Sequence, residues 1–133
     1  MPFPKNLGAH HVRLTVSDFE RSLRFYTEVL GFRLRRRFNE TSAMLEDGTM
    51  GLAINTPWHE ISDAERRFDE ARVGLDHLSF RVASEAEVEQ AAAHLDEHGI
   101  PHSGVKPGRL PGAAVVIFRD PDNIQLELTA PKT

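Results

Sequence analysis

His11-Val12-Arg13-Leu14-Thr15-Val16, running into Ser17-Asp18-Phe19-Glu20, is written a second time in plan as His77-Leu78-Ser79-Phe80-Arg81-Val82, running into Ser84-Glu85-Ala86-Glu87. Such self-similarity governs every local reading, because a missed repeat misassigns the whole fold. Both copies open with polar and apolar side chains alternating at a period of two, the pattern of a strand with one face on a core. Each then meets an S-x-x-E spacing, Ser17 with Glu20 and Ser84 with Glu87, in which hydroxyl and carboxylate satisfy the free amides of a helix start. Phe19, Leu23, Tyr26 and Leu30 recur at helical spacing and predict one inward stripe; Val88, Ala91, Ala92 and Leu95 do the same in the second copy. Gly31 and Gly99 follow, where a left-handed residue closes a helix cheaply only as glycine.

Outward from each helix, strand-like stretches alternate with turns. In the first copy they are Phe32 to Phe38, Ser42 to Glu46 and Met50 to Asn55, with Asp47-Gly48 as the last turn. In the second they are His102 to Lys106, Ala113 to Phe118 and Ile124 to Thr129, with Asp120-Pro121-Asp122-Asn123 as the turn. The chain therefore reads as one α+β domain over 1–133, built from two βαβββ modules related by pseudo-two-fold symmetry, with a cleft between curved mixed sheets. Module one covers about 7–55 and module two about 75–130. The segment 56–74 is a surface linker, partly helical, whose Glu65-Arg66-Arg67 cluster reads as a solvated face.

Composition narrows the chemistry. A chain of 133 residues with 40% hydrophobic and 27% charged residues is in the range of a single globular core. No run approaches the roughly 18 apolar residues of a membrane helix, and the start shows no secretory signal, so a cytoplasmic protein is expected. With no cysteine, disulfides and thiolate catalysis are out, and seven histidines and the carboxylates are the strong metal ligands. A net charge of −4 gathers no phosphate backbone, so nucleic acid is not an expected partner.

Strand parity then selects residues. If Val12, Leu14 and Val16 pack under a helix, His11, Arg13 and Thr15 face the other way; His77, Ser79 and Arg81 likewise oppose Leu78, Phe80 and Val82. In the last strand Gln125, Glu127 and Thr129 oppose Ile124, Leu126 and Leu128. His11, His77 and Glu127 thus form a candidate set of two imidazoles and one carboxylate, a facial triad that leaves positions open for water or substrate. It suits Fe(II), Mn(II), Co(II), Ni(II) or Zn(II), one divalent ion whose identity three ligand types do not rank. Arg13, Arg81, Thr15, Ser79 and Gln125 share those faces and are the candidate substrate-binding residues. His10 falls on the core face or at the strand entry and reads as structural. His59, His94, His98 and His102 read as surface, and Arg33, Arg35 and Arg37 alternate along a strand as exposed residues.

His11-Val12-x-Leu14-x-Val16-x-Asp18, Phe25-Tyr26-Thr27-Glu28-Val29-Leu30-Gly31-Phe32, Asp76-His77-Leu78-Ser79-Phe80-Arg81-Val82 and Arg119-Asp120-Pro121-Asp122-Asn123 before Leu126-Glu127-Leu128 together resemble the vicinal oxygen chelate superfamily. Its members include glyoxalase I, fosfomycin- and bleomycin-resistance proteins and extradiol dioxygenases. The resemblance implies paired modules, a metal in the cleft, a substrate chelating it through neighbouring oxygens, and a homodimer, sometimes with modules exchanged. It implies Lewis-acid catalysis with Glu127 as ligand and as candidate catalytic proton acceptor. Departures narrow the activity. Glyoxalase I carries a fourth ligand where the repeat places Ala53, and extradiol dioxygenases carry a Tyr near Ile117 and a His that this stretch lacks. A fosfomycin-type protein needs only two His and one Glu, and bleomycin-type binders lack the ligands present here. The expectation is a metal-dependent lyase, isomerase or dioxygenase, with a non-catalytic binding or resistance protein as the alternative.

Overall fold

The computed structural model describes residues 2–131. Two compact units divide the chain, Met1–Glu60 and Ile61–Thr133. The first contains β1 (His11–Thr15), α1 (Phe19–Arg24) continued by a π turn (Phe25–Val29), β2 (Arg33–Asn39), β3 (Ser42–Glu46) and β4 (Gly51–Asn55). The second contains a short 3-10 turn (Ala64–Arg66), β5 (Leu78–Arg81), α2 (Glu85–Glu97), β6 (Lys106–Pro107), β7 (Ala114–Arg119) and β8 (Gln125–Ala130). The sheet orders are β1-β4-β3-β2 and β5-β8-β7-β6. In each, the first strand runs parallel to the last and the other neighbours are antiparallel. These are the two βαβββ modules of the repeat. A parallel pairing of first and last strands needs a long crossover, and the helix with its following strands supplies it.

Period-two parity holds in both units. Leu14 and Val16 are buried and Val12 half-buried, while His11, Arg13 and Thr15 are exposed; Leu126 is buried where Gln125 and Glu127 are only half-buried. The first core gathers Leu14, Val16, Phe19, Tyr26, Phe32, Leu45, Leu52 and Ile54, the second Val88, Leu95, Val116, Phe118, Ile124 and Leu126. Burying a side chain of this size contributes roughly 1.5–3 kcal/mol, so each module has its own source of stability. The helices close as their glycines predict, with Gly31 at φ +79° and Gly99 at φ +67°.

Four local expectations change. Asp18, not Ser17, caps α1, its side chain accepting from Arg21 N–H, so the helix starts one residue later than the Ser17/Glu20 spacing implies. Ser84 does cap α2, and Glu87 closes the box on Ala83 N–H at 2.7 Å. The π turn brings Phe25 as well as Tyr26 into the core, which a uniform helical period does not foresee. Register shifts at Leu34/Arg36 and Arg37/Asn39 break the alternation of the arginines. Arg33 and Arg35 lie near Glu46, whereas Arg37 turns to Glu20 at 3.0 Å and covers the Phe19 ring. His102 to Lys106 is not a strand: only an isolated bridge at His102 and the two-residue β6 remain.

The linker is docked, not loose. Phe68 N–H donates to the Asp122 carbonyl at 2.8 Å, Asn123 Nδ2 donates to the Phe68 carbonyl at 2.9 Å, and Arg119 grips Glu70 with two hydrogen bonds of 2.8 and 2.7 Å. The residues after Glu60 thus belong to module two. No described helix is long and apolar enough to cross a membrane.

Candidate metal centre

Parallel pairing of β5 and β8 places Ser79 opposite Glu127, and antiparallel β7 places Ile117 on the other side of Glu127. The Glu127 side chain is only 16% exposed, and a carboxylate so far out of water needs partners. It has them: Ser79 Oγ donates to Oε1 at 2.9 Å and Thr129 Oγ1 donates at 2.7 Å. Ser79 and Thr129 are also 2.6 Å apart, so two hydroxyl protons serve three contacts and the cluster is held as a unit. Both hydroxyls converge on Oε1, leaving Oε2 without a hydrogen bond among the described residues.

His77 stands just ahead of β5. Its Nδ1 is 2.7 Å from Asp76 Oδ1, and its Nε2 is 3.8 Å from Glu127 Oε1. A carboxylate at Nδ1 keeps the proton there and leaves the Nε2 lone pair bare toward Glu127, the kind of hydrogen bond that orients metal-ligating histidines. Ligand atoms about 2.0–2.2 Å from one ion stand roughly 3–3.5 Å apart, so a small closure of this pair would admit a divalent cation. His77 and Glu127 offer two donors of the types a divalent ion takes. Behind them, Gln125 Nε2 donates to Asp76 Oδ1 at 3.0 Å, Gln125 Oε1 accepts from Arg119 Nη2 at 3.3 Å, and Arg119 is held by Glu70. Hydrogen bonds from Arg119 bring the Glu70 carboxyl down to about 2, and the same pairing raises the Arg119 guanidinium above its ordinary value. Gln125 therefore braces Asp76, engaged in the layer behind the imidazole.

A cavity of about 430 Å³ opens onto this pair, lined among others by Asp76, His77, Lys106, Arg109, Ile117 and Glu127. The side chains of Lys106 and Arg109 make no hydrogen bond or ion pair among the described residues. Arg81 is exposed on the same face, opposite Thr129.

Module one keeps the register and changes the chemistry. His11 lies opposite Gly51, Arg13 opposite Ala53 and Thr15 opposite Asn55. Ala53 thus holds the place that Glu127 has in module two, and it is 1% exposed. Arg13 Nη1 donates to Asn55 Oδ1 at 3.2 Å, where the equivalent Ser79 serves a carboxylate. Gly51 is required by close approach: a Cβ there would stand 3.1 Å from His11 Cβ and 3.0 Å from Met44 Sδ.

Of the two positions the sequence left open for His10, the structure gives the strand entry: it directly precedes β1 and is exposed, with Nδ1 2.8 Å from His11 Nδ1. His102 is not on the surface. Its side chain is 13% exposed, with Nε2 2.9 Å from Asp96 Oδ1 and Nδ1 accepting from Gly104 N–H, so it ties the end of α2 to the following loop. His59, His94 and His98 are exposed as expected.

The structure brings His77, Ser79, Gln125 and Glu127 together in module two, while His11, Arg13 and Thr15 share β1 of module one. Among the described residues, no group of three or more His, Asp or Glu side chains stands ready to hold a metal by itself. Sequence reasoning passed over Asp76, Lys106, Arg109 and the hydroxyl role of Thr129. Asp76 had a signal: it precedes His77 as His10 precedes His11.

With fold and face defined, comparison with known proteins is direct. Residues 8–128 match the Glyoxalase/Bleomycin resistance protein/Dioxygenase superfamily, and the chain belongs to it. The Bacillus subtilis (strain 168) protein YwkD is 31% identical over 122 residues, covering 90% of this chain and 93% of that one. Glutathione transferase FosA of Serratia marcescens is 30% identical over 119 residues, 90% of this chain and 77% of its own. The crystal structure of a glyoxylase/bleomycin resistance protein/dioxygenase domain from Frankia sp. EAN1pec is 32% identical, with a TM-score of 0.81, covering 96% of this chain and all (100%) of that one.

Proposed function

We propose that the protein is a divalent-metal-dependent enzyme, a glyoxalase-like lyase or isomerase or an oxygenase, acting on a small molecule that offers two neighbouring oxygens to the metal. The observation that carries this reading is His77: a carboxylate fixes its Nδ1, and its Nε2 looks at a hydroxyl-braced Glu127. His77 and Glu127 would hold the ion, with His11 as third ligand, and Fe, Mn, Co, Ni or Zn would suit the set. Bound there, the metal supplies Lewis acidity toward the substrate oxygens.

The protein's own groups do the rest. Asp76 holds the Nδ1 proton of His77, and Ser79 and Thr129 hold Oε1 of Glu127, a residue that lines the cavity. Oε2, which takes neither hydroxyl, would be the oxygen to accept a proton from a bound substrate. Lys106 and Arg109 line the cavity, and Arg81 is exposed on the same sheet face, a cationic set that favours a substrate carrying an anionic substituent as well as its chelating oxygens. Arg13 and Thr15 would add contacts from module one, and a homodimer is the proposed assembly.

Metal analysis of protein purified without chelator, compared with His77→Ala, tests the centre; equal metal in both rules it out. Mixing His11→Ala with His77→Ala protein then locates the third ligand. Recovery of metal binding places His11 on a second chain, and no recovery places it on the same one. A panel of 2-oxoaldehydes, catechols, acyl-CoA epimers and epoxides tests catalysis, and metal-dependent ligand binding without product identifies a sequestering protein instead.

A further inference from the structure

We propose that His10 is a positioning residue for His11, holding its Nδ1–H so that Nε2 is the free, ligating nitrogen. The inference rests on the reading of His11 as a ligand. His10 and His11 occupy in the repeat the positions that Asp76 and His77 occupy in module two, His11 opening β1 and His77 directly preceding β5. In module two the contact is Asp76 Oδ1 to His77 Nδ1 at 2.7 Å; in module one it is His10 Nδ1 to His11 Nδ1 at 2.8 Å. Two ring nitrogens at that distance share one proton: one donates and the other offers its lone pair. If His11 is to ligate through Nε2, its Nδ1 must be the donor and His10 Nδ1 the acceptor.

The local backbone sets this geometry. Gly51 N–H donates to the His10 carbonyl at 3.0 Å, which fixes the main chain before β1, and the absent Gly51 Cβ gives His11 its room. The rings meet edge to face, with centroids 5.1 Å apart and planes at 84°. An acceptor lone pair in the plane of one ring meets the N–H of the other in this arrangement. Module two orients its imidazole with an anion; module one does the same with a neutral acceptor.

Edge-to-face packing alone is the competing account, and Phe separates the two, since it keeps a ring and removes the acceptor. Nitrogen-15 NMR of the metal-free protein reads the His11 tautomer directly. The expected result is an Nδ1–H His11 in the wild type, lost in His10→Phe and kept in His10→Asp. Metal titration is expected to show about a 10-fold or greater loss of affinity in His10→Phe and less than about a 3-fold change in His10→Asp. An Nε2–H His11 in the wild type, equal affinity in His10→Phe, or equal losses in both variants would overturn the assignment. If the wild-type protein binds no metal, the ligand reading fails on its own, and the tautomer measurement still decides the role of His10.

Discussion

The two modules share strand order, register and helix placement, yet their open faces are built for different purposes. On module two, Glu127 sits between Ser79 and Ile117, with hydroxyls on one oxygen and a carboxylate-fixed imidazole nearby. On module one, Ala53 fills the Glu127 place, Arg13 reaches Asn55, and Met44 lies across the strand where Ile117 lies in the other copy. The comparison teaches that the fold does not specify the chemistry. The same backbone positions, opposite each other in the same ladders, carry a prepared carboxylate in one copy and an apolar stop in the other.

The sharpest way to break this contrast is to remove the orienting carboxylate of module two. Asp76→Ala is expected to lower metal affinity by about 10- to 100-fold without unfolding the protein, since Asp76 is exposed and its partners can turn to water. Competition with a chelating dye measures the loss, and unchanged affinity would show that His77 needs no second partner. The contrast can next be erased from the other side. Ala53→Glu writes the Glu127 carboxylate into module one, where the site is 1% exposed and packed against Met44; overfilling it is expected to cost about 1–3 kcal/mol, read as a lower urea midpoint.

Much of this was legible beforehand, for identifiable reasons. Strand parity came through because period two survives wherever one face is buried, and the repeat doubled every observation: His11 vouches for His77, Gly31 for Gly99. The deviations are all places where tertiary context outweighs local pattern. Asp18 outcompetes Ser17 as cap by geometry that S-x-x-E does not encode. The broken register in β2 sends Arg37 to the opposite side from Arg33. Parity alone left His10 between the core face and the strand entry, because it stands one residue before β1, where its side chain is exposed. Asp76 was missed because a carboxylate beside a ligand reads as ordinary surface charge until its 2.7 Å contact is seen.

Two smaller effects sharpen the asymmetry. Replacing Lys106 and Arg109 by methionine is expected to raise KM for an anionic substrate roughly 2- to 5-fold per charge with kcat preserved, an effect that added salt should erase. A neutral substrate should be indifferent to both changes. The smallest expected effect concerns the docked linker. Glu70, held at about 2 by Arg119, contributes stability that is present above the ordinary carboxylate value of 4.5 and lost as pH falls through about 2. Glu70→Gln should therefore speed hydrogen exchange at Phe68 N–H near neutral pH, and the difference from wild type should close toward pH 2. A difference that persists there would assign the docking to the Phe68 and Asn123 hydrogen bonds instead.

The π turn at Phe25–Val29 has a bearing on how this scaffold can be cut and rejoined. It inserts one residue beyond what an α-helical path needs, so everything after it is rotated by about 100° relative to an uninterrupted helix. Two consecutive aromatic rings, Phe25 and Tyr26, lie in the interior at the start of that turn. A chimera that transplants α2 onto module one would restore a regular spiral, remove both rings, and leave a hole beside Phe32.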